Sequence, residues 1–111
     1  MGARRGTRGL GAAAALAAAA GACAGGGHAP ARHEIEIRTF VFSPAAVAAE
    51  PGDSLVFVNH DAVPHTATAL DGSWDTGSIP ANATRAVAVP SAGDYHCAIH
   101  PTMTGKVDAA K

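Results

Sequence analysis

Aromatic side chains are scarce in this chain: three Phe, one Tyr and one Trp among 111 residues. Length allows one domain at most, and a core built mainly from small aliphatic side chains will be thin. Charge of either sign is also sparse, with eight Lys and Arg against nine Asp and Glu. That balance offers no basic face of the kind nucleic acid requires. The uncharged run of Ala, Leu and Gly from Leu10 to Ala20 is far too short for a membrane-spanning helix. Helical periodicity is missing from residues 33–111, and no internal repeat is present.

Cysteine is nearly absent, with Cys23 and Cys97 alone. Cys23 falls at the end of a segment with the order of a secretory signal. Arg4, Arg5 and Arg8 form a basic start, Leu10 to Ala20 is apolar, and the small residues AGACAGGG follow. An Ala-rich helix at the domain's N-terminus is the other reading, but nothing caps the segment and the Gly cluster would break it. Residues 1–23 are therefore expected to be a signal peptide, with cleavage after Ala22 or Ala24. The stretch AGAC also resembles a lipobox with Ala20 where Leu is usual, which would make Cys23 a lipidated N-terminus. The residues after Arg4-Arg5 fit a twin-arginine signal poorly. The expected location is the periplasm or the extracytoplasmic face of the cell membrane, with membrane attachment only if Cys23 is lipidated.

Three of the eight basic residues precede residue 24 and all nine acidic ones follow it, so the remainder is five against nine, about −4 with His neutral. It also carries one thiol, Cys97, which has no internal disulfide partner.

Gly25 to Ala31, GGGHAPA, reads as part of a flexible leader spanning 24–32, and residues 33–111 as an all-β domain. HEIEIRTFVF alternates apolar and polar residues and predicts one half-buried strand, broken by Ser43-Pro44. Val47 sits in a brief second element, followed by the turn Glu50-Pro51-Gly52-Asp53. SLVFVN, Ser54 to Asn59, suits a buried central strand, and HTATAL, His65 to Leu70, another strand. Strands are further expected over Thr84–Val89, Asp94–Cys97 and Gly105–Ala109. Seven or eight short strands with turns at this spacing predict a Greek-key β-sandwich.

Near the C-terminus the chain reads YHCAIHPTM, Tyr95 to Met103, with Cys97, His100 and Met103 each three residues from the next. A thiolate, an imidazole and a thioether are the donors that a mononuclear copper ion selects when joined by a second imidazole. VPHTAT offers His65 for that place, just after Pro64, whose ring fixes the local backbone angle. His60, five residues earlier at the end of the central strand, is its rival. His28, His33, His60 and His96 are expected to be solvated, since coordination needs only two imidazoles, and Trp74 and Tyr95 to be core. Taken alone, Cys97 reads as a small buried hydrophobe and Met103 as core packing; it is the common spacing that raises them to ligands.

The segments FVFSPAAVAAEPGDSLVFVNHDAVPHTAT, DGSWDTGSI and AGDYHCAIHPTMTGKV resemble the cupredoxins, small type 1 blue copper proteins of the amicyanin and plastocyanin kind. The resemblance spans about residues 33–109, and the spacing C-x2-H-x2-M is that of the compact amicyanin loop. It implies that His65, Cys97 and His100 form a trigonal set around one copper ion, with Met103 on the axis. It also places Asn59 as a buried residue beside the ligand region. The chain departs from the pattern at Thr66, where relatives often carry an Asn that braces the ligand loop. Thr66 retains an N–H and a hydroxyl, so a retuned potential is expected, not loss of copper. The domain is also shorter than most relatives.

What the resemblance implies is a non-enzymatic carrier that shuttles single electrons. Its expected partners are redox proteins such as a c-type cytochrome or a dehydrogenase, met transiently by a monomer. A periplasmic copper-binding or carrier protein is the alternative. A multicopper enzyme would need further His clusters, a binuclear copper centre a second Cys in the loop, and zinc would leave Met103 unused.

Overall fold

The computed structural model describes residues 29–110. The signal segment, Cys23 and His28 lie outside them. Eight strands run in chain order: β1 (Arg32–Arg38), β2 (Val41–Ser43), β3 (Ala46–Ala49), β4 (Ser54–Asn59), β5 (Thr68–Ala69), β6 (Thr84–Ala88), β7 (Gly93–His96) and β8 (Thr104–Ala109). They form two four-stranded sheets in the orders β2-β1-β4-β6 and β3-β8-β7-β5. β1 pairs with β4 and β3 with β8 in parallel, and the other pairings are antiparallel.

Period-two alternation aims one side of each strand at the space between the sheets. Ile35 and Ile37 of β1, Phe42 of β2, and Leu55 and Phe57 of β4 are buried from one sheet, and Tyr95 and Val107 from the other. Scarce as they are, the aromatic rings are concentrated in the core. Tyr95 touches Phe42, Phe57 and Trp74, with centroids 4.9, 5.6 and 5.3 Å away. Gly105, directly opposite Tyr95, makes room for that ring. A Cβ there would collide with the Tyr95 ring.

Two expected strands differ from the observed ones. HEIEIRTFVF does not run straight through: the chain reverses at Thr39-Phe40, and Arg38 pairs with Val41. Both turn residues have positive φ, 54° and 60°. That is the two-residue hairpin turn normally written Asn-Gly, so no turn residue announced it. HTATAL is a strand only at Thr68–Ala69. Its first half pairs instead with the following loop, where the N–H of His65 bonds the carbonyl of Ile79 and the N–H of Ile79 bonds that of His65. The first strand also begins inside the expected leader, since Arg32 pairs with Ser54.

Candidate metal centre

The hairpin-like pairing of His65 with Ile79 sets that imidazole at one end of the sandwich, where it is fully buried. Asn59, also buried at the end of β4, fixes the connecting loop. Its amide donates to the carbonyls of Val63, Ile79 and Pro80, and its Oδ1 accepts from the N–H of Asp61. The loop from β7 to β8 supplies the other donors. The N–H of Cys97 bonds the carbonyl of Met103 and the N–H of Met103 bonds that of His100, so the loop closes on itself.

These loops bring His65, Cys97 and His100 together. The two Nδ1 atoms are 3.2 Å apart, and Cys97 Sγ lies 3.8 Å from that of His65 and 3.7 Å from that of His100. Imidazole and thiolate bound at about 2.0–2.3 Å in one trigonal plane would sit roughly 3.5–3.8 Å apart, close to the observed spacing. The residues fit a single copper ion: two imidazole nitrogens and a sulfur, with a buried thioether residue, Met103, in the same loop. Among the described residues this is the group of three or more His, Cys or carboxylate side chains whose ligand atoms lie close enough for one ion.

The other imidazoles lie elsewhere. His60 Nε2 is 3.6 Å from a Glu36 oxygen, outside the group. His96 is half-buried on the strand whose neighbouring residues Tyr95 and Cys97 face inward. His33 is not simply solvated, as was expected of an imidazole that coordination does not need. It bonds the buried carboxylate of Asp53 at 2.9 Å.

Thr66 braces the site as its two polar groups allow. Its N–H reaches Cys97 Sγ at 3.3 Å, and its hydroxyl accepts from the N–H of Ala98 at 2.7 Å. A hydrogen bond to a thiolate lowers its electron density, which is one way a protein tunes such a sulfur. The hydroxyl also meets that of Thr68, which in turn donates to Asp75.

Two residues at the site carried no signal in the sequence. Asp61 Oδ2 is 2.9 Å from His65 Nε2. Because a carboxylate only accepts, the proton belongs on Nε2, which leaves Nδ1 with its lone pair towards Cys97 and His100. The same carboxylate accepts from the N–H groups of Thr39 at 2.6 Å and Phe40 at 2.9 Å. Burial opposes its ionisation, but these two N–H groups and His65 outweigh that and hold Asp61 below the usual carboxylate range. Phe40 lays its ring edge-on to both imidazoles, with centroids 4.9 Å from His65 and 4.8 Å from His100. Left-handed backbone at two non-glycine residues costs of order 1–3 kcal/mol each, and the bonds to Asp61 offset part of it. A carboxylate in a loop and a Phe in a strand-like run have no local pattern that marks either one.

No protein-family model and no curated relative matches the sequence. Solved structures do match in fold. An oxidised Met-to-Leu variant of amicyanin aligns with a TM-score of 0.61 at 23% identity, covering 69% of this chain and 80% of its own. A reduced Trp-to-Tyr variant gives 0.62 at 22%, covering 74% and 85%. The reduced Cu(I) form of a Pro-to-Gly variant at pH 4 gives 0.61 at 20%, covering 78% and 87%. The chain therefore has the β-sandwich fold of amicyanin, a cupredoxin fold.

Proposed function

We propose that this protein is a mononuclear type 1 copper protein that carries single electrons between redox partners in the cell envelope. The observation that carries the reading is the convergence of His65 Nδ1, Cys97 Sγ and His100 Nδ1 within bonding range of one ion. His65, Cys97 and His100, with Met103 beside them, would hold the ion. A copper ion held there would supply the one-electron chemistry. The chain's part is to keep that geometry unchanged. Asn59 fixes the loop before His65, Thr66 braces the Cys97 loop, and Asp61 sets the tautomer of His65.

Four protein donors leave no position for a substrate, which supports a carrier and not an enzyme. Electrons would pass through His100, which is only half-buried. Phe40 against its ring, Ile99 beside it and Val63 near His65 are all exposed apolar residues. A small apolar surface of this kind suits brief encounters with redox proteins such as a c-type cytochrome or a dehydrogenase. The signal-like N-terminus supports a periplasmic or extracytoplasmic location for a monomer.

The test is the visible spectrum of the purified protein with one equivalent of Cu(II), before and after ascorbate. An intense blue band that bleaches on reduction is expected, and Cys97→Ser should abolish it while leaving the β-domain folded. A Cys97→Ser protein that stays intensely blue would sink the assignment. Ready exchange of the metal with no electron transfer to a cytochrome would favour copper carriage instead.

A further inference from the structure

We propose that Asp61 is a positioning residue of the metal centre, a latch whose one carboxylate orients His65 and holds the Phe40 ring over both imidazoles. The inference rests on the copper reading above and adds the part that keeps the site closed. Three donors converge on this carboxylate from two separate segments: the N–H groups of Thr39 and Phe40, and Nε2 of His65. Satisfying a hairpin turn requires none of this. An Asn-Gly turn would reverse the chain without strain, whereas Thr39 and Phe40 are held left-handed despite their side chains.

Nor does core packing account for Phe40, which is 46% exposed. Its unusual backbone does place the ring edge-on to both His65 and His100. A strained turn persists where its surroundings over-determine it, and here the determinant also bonds a metal-ligand histidine. Pulling Asp61 away would release the lid and the first imidazole together. Partners of ligand histidines typically change metal affinity or activity by about 10–100-fold when removed.

The test uses the full chain, first metal-free and then copper-loaded. In the metal-free protein the Nε2 proton of His65 and the amides of Thr39 and Phe40 should exchange slowly with solvent, and Asp61→Asn should speed all three together. In the loaded protein Asp61→Asn should speed copper loss to a chelator at least 10-fold, and Phe40→Leu should speed it less, with the His65 proton still protected. Fast exchange of the two amides in Asp61→Asn, with the His65 proton and copper loss within twofold of the parent, would reduce Asp61 to a hairpin clasp and overturn the proposal. Should Asp61→Asn not fold, the unsubstituted protein decides: absence of a protected Nε2 proton on His65 overturns it. Failure of the unsubstituted protein to take up copper would refute the carrier reading and this role with it. Copper uptake with an Asp61→Asn protein as retentive as the parent refutes only the latch.

Discussion

Two aspartates in this molecule are built into almost the same local arrangement with opposite results. Asp53 accepts from the N–H groups of Ala31 and Glu50 and from His33 Nε2. Asp61 accepts from the N–H groups of Thr39 and Phe40 and from His65 Nε2. Each histidine contact measures 2.9 Å. What differs is which partner is buried. His33 is 24% exposed over an Asp53 at 3%, whereas His65 is at 0% under an Asp61 at 12%. At the first pair the carboxylate is the hub, tying the chain before β1 to the turn before β4. At the second the imidazole is the hub, and its other nitrogen faces a thiol and a second imidazole. The hydrogen bond is common to both; chemistry appears only where the histidine's second nitrogen has donors to join.

Each aspartate can be removed without touching the other. The largest expected effect is at Asp53→Ala, which leaves two backbone donors and an imidazole without their acceptor at a buried position. It should cost about 2–4 kcal/mol of stability, read by urea unfolding, with the copper spectrum of the folded fraction unchanged. His33→Gln, at the exposed partner, should cost under about 1 kcal/mol. A shifted copper spectrum in Asp53→Ala would show that the two regions are coupled.

Thr66→Val comes next. It keeps the N–H to Cys97 but removes the acceptor for Ala98, and should cost about 1–2 kcal/mol. The reduction potential should shift with it, because the loop that carries Cys97 loses a tie, and voltammetry would measure this. An unchanged potential would confine Thr66 to a structural role. At Met103→Leu the cost in stability is expected to be small, under about 1.5 kcal/mol, because shape and apolarity are nearly kept. Its signature is a blue protein with a raised potential, since the thioether favours Cu(II). A potential equal to that of the parent would remove Met103 from the ligand set.

Much of this organisation was legible in the sequence, for reasons that the exceptions make clear. SLVFVN read as a buried central strand because Leu55 to Val58 are all apolar and β4 lies between two neighbours. Cys97, His100 and Met103 stood out because one loop holds them at one spacing, and spacing is a local property. His65 needed the family resemblance to be preferred over His60, and the geometry then brought it, and not His60, beside Cys97. What escaped notice depends on partners distant in sequence. The turn at Thr39-Phe40 is stabilised by a carboxylate in the β4–β5 loop, so neither place shows the cause by itself. His65 to Ala67 alternate like a strand but bond to a loop, because the residues opposite them, Thr76 and Ile79, are irregular. His33 looked solvated since nothing near it in sequence marks Asp53 as its partner.

The two parallel pairings set the order in which the molecule is assembled. β3 has no sheet neighbour other than β8, the last strand of the chain, and the Cys97–Met103 loop hangs between β7 and β8. Contacts so remote in sequence form slowly, because the chain must close a long loop before any of them is made. His65 can be seated earlier, by Asn59, Asp61 and Ile79. The three donors of the C-terminal loop gain their final places only when β8 docks. The cavity for the ion is thus the last part of the fold to close, and a chain emerging N-terminus first would expose His65 well before it presents the thiol.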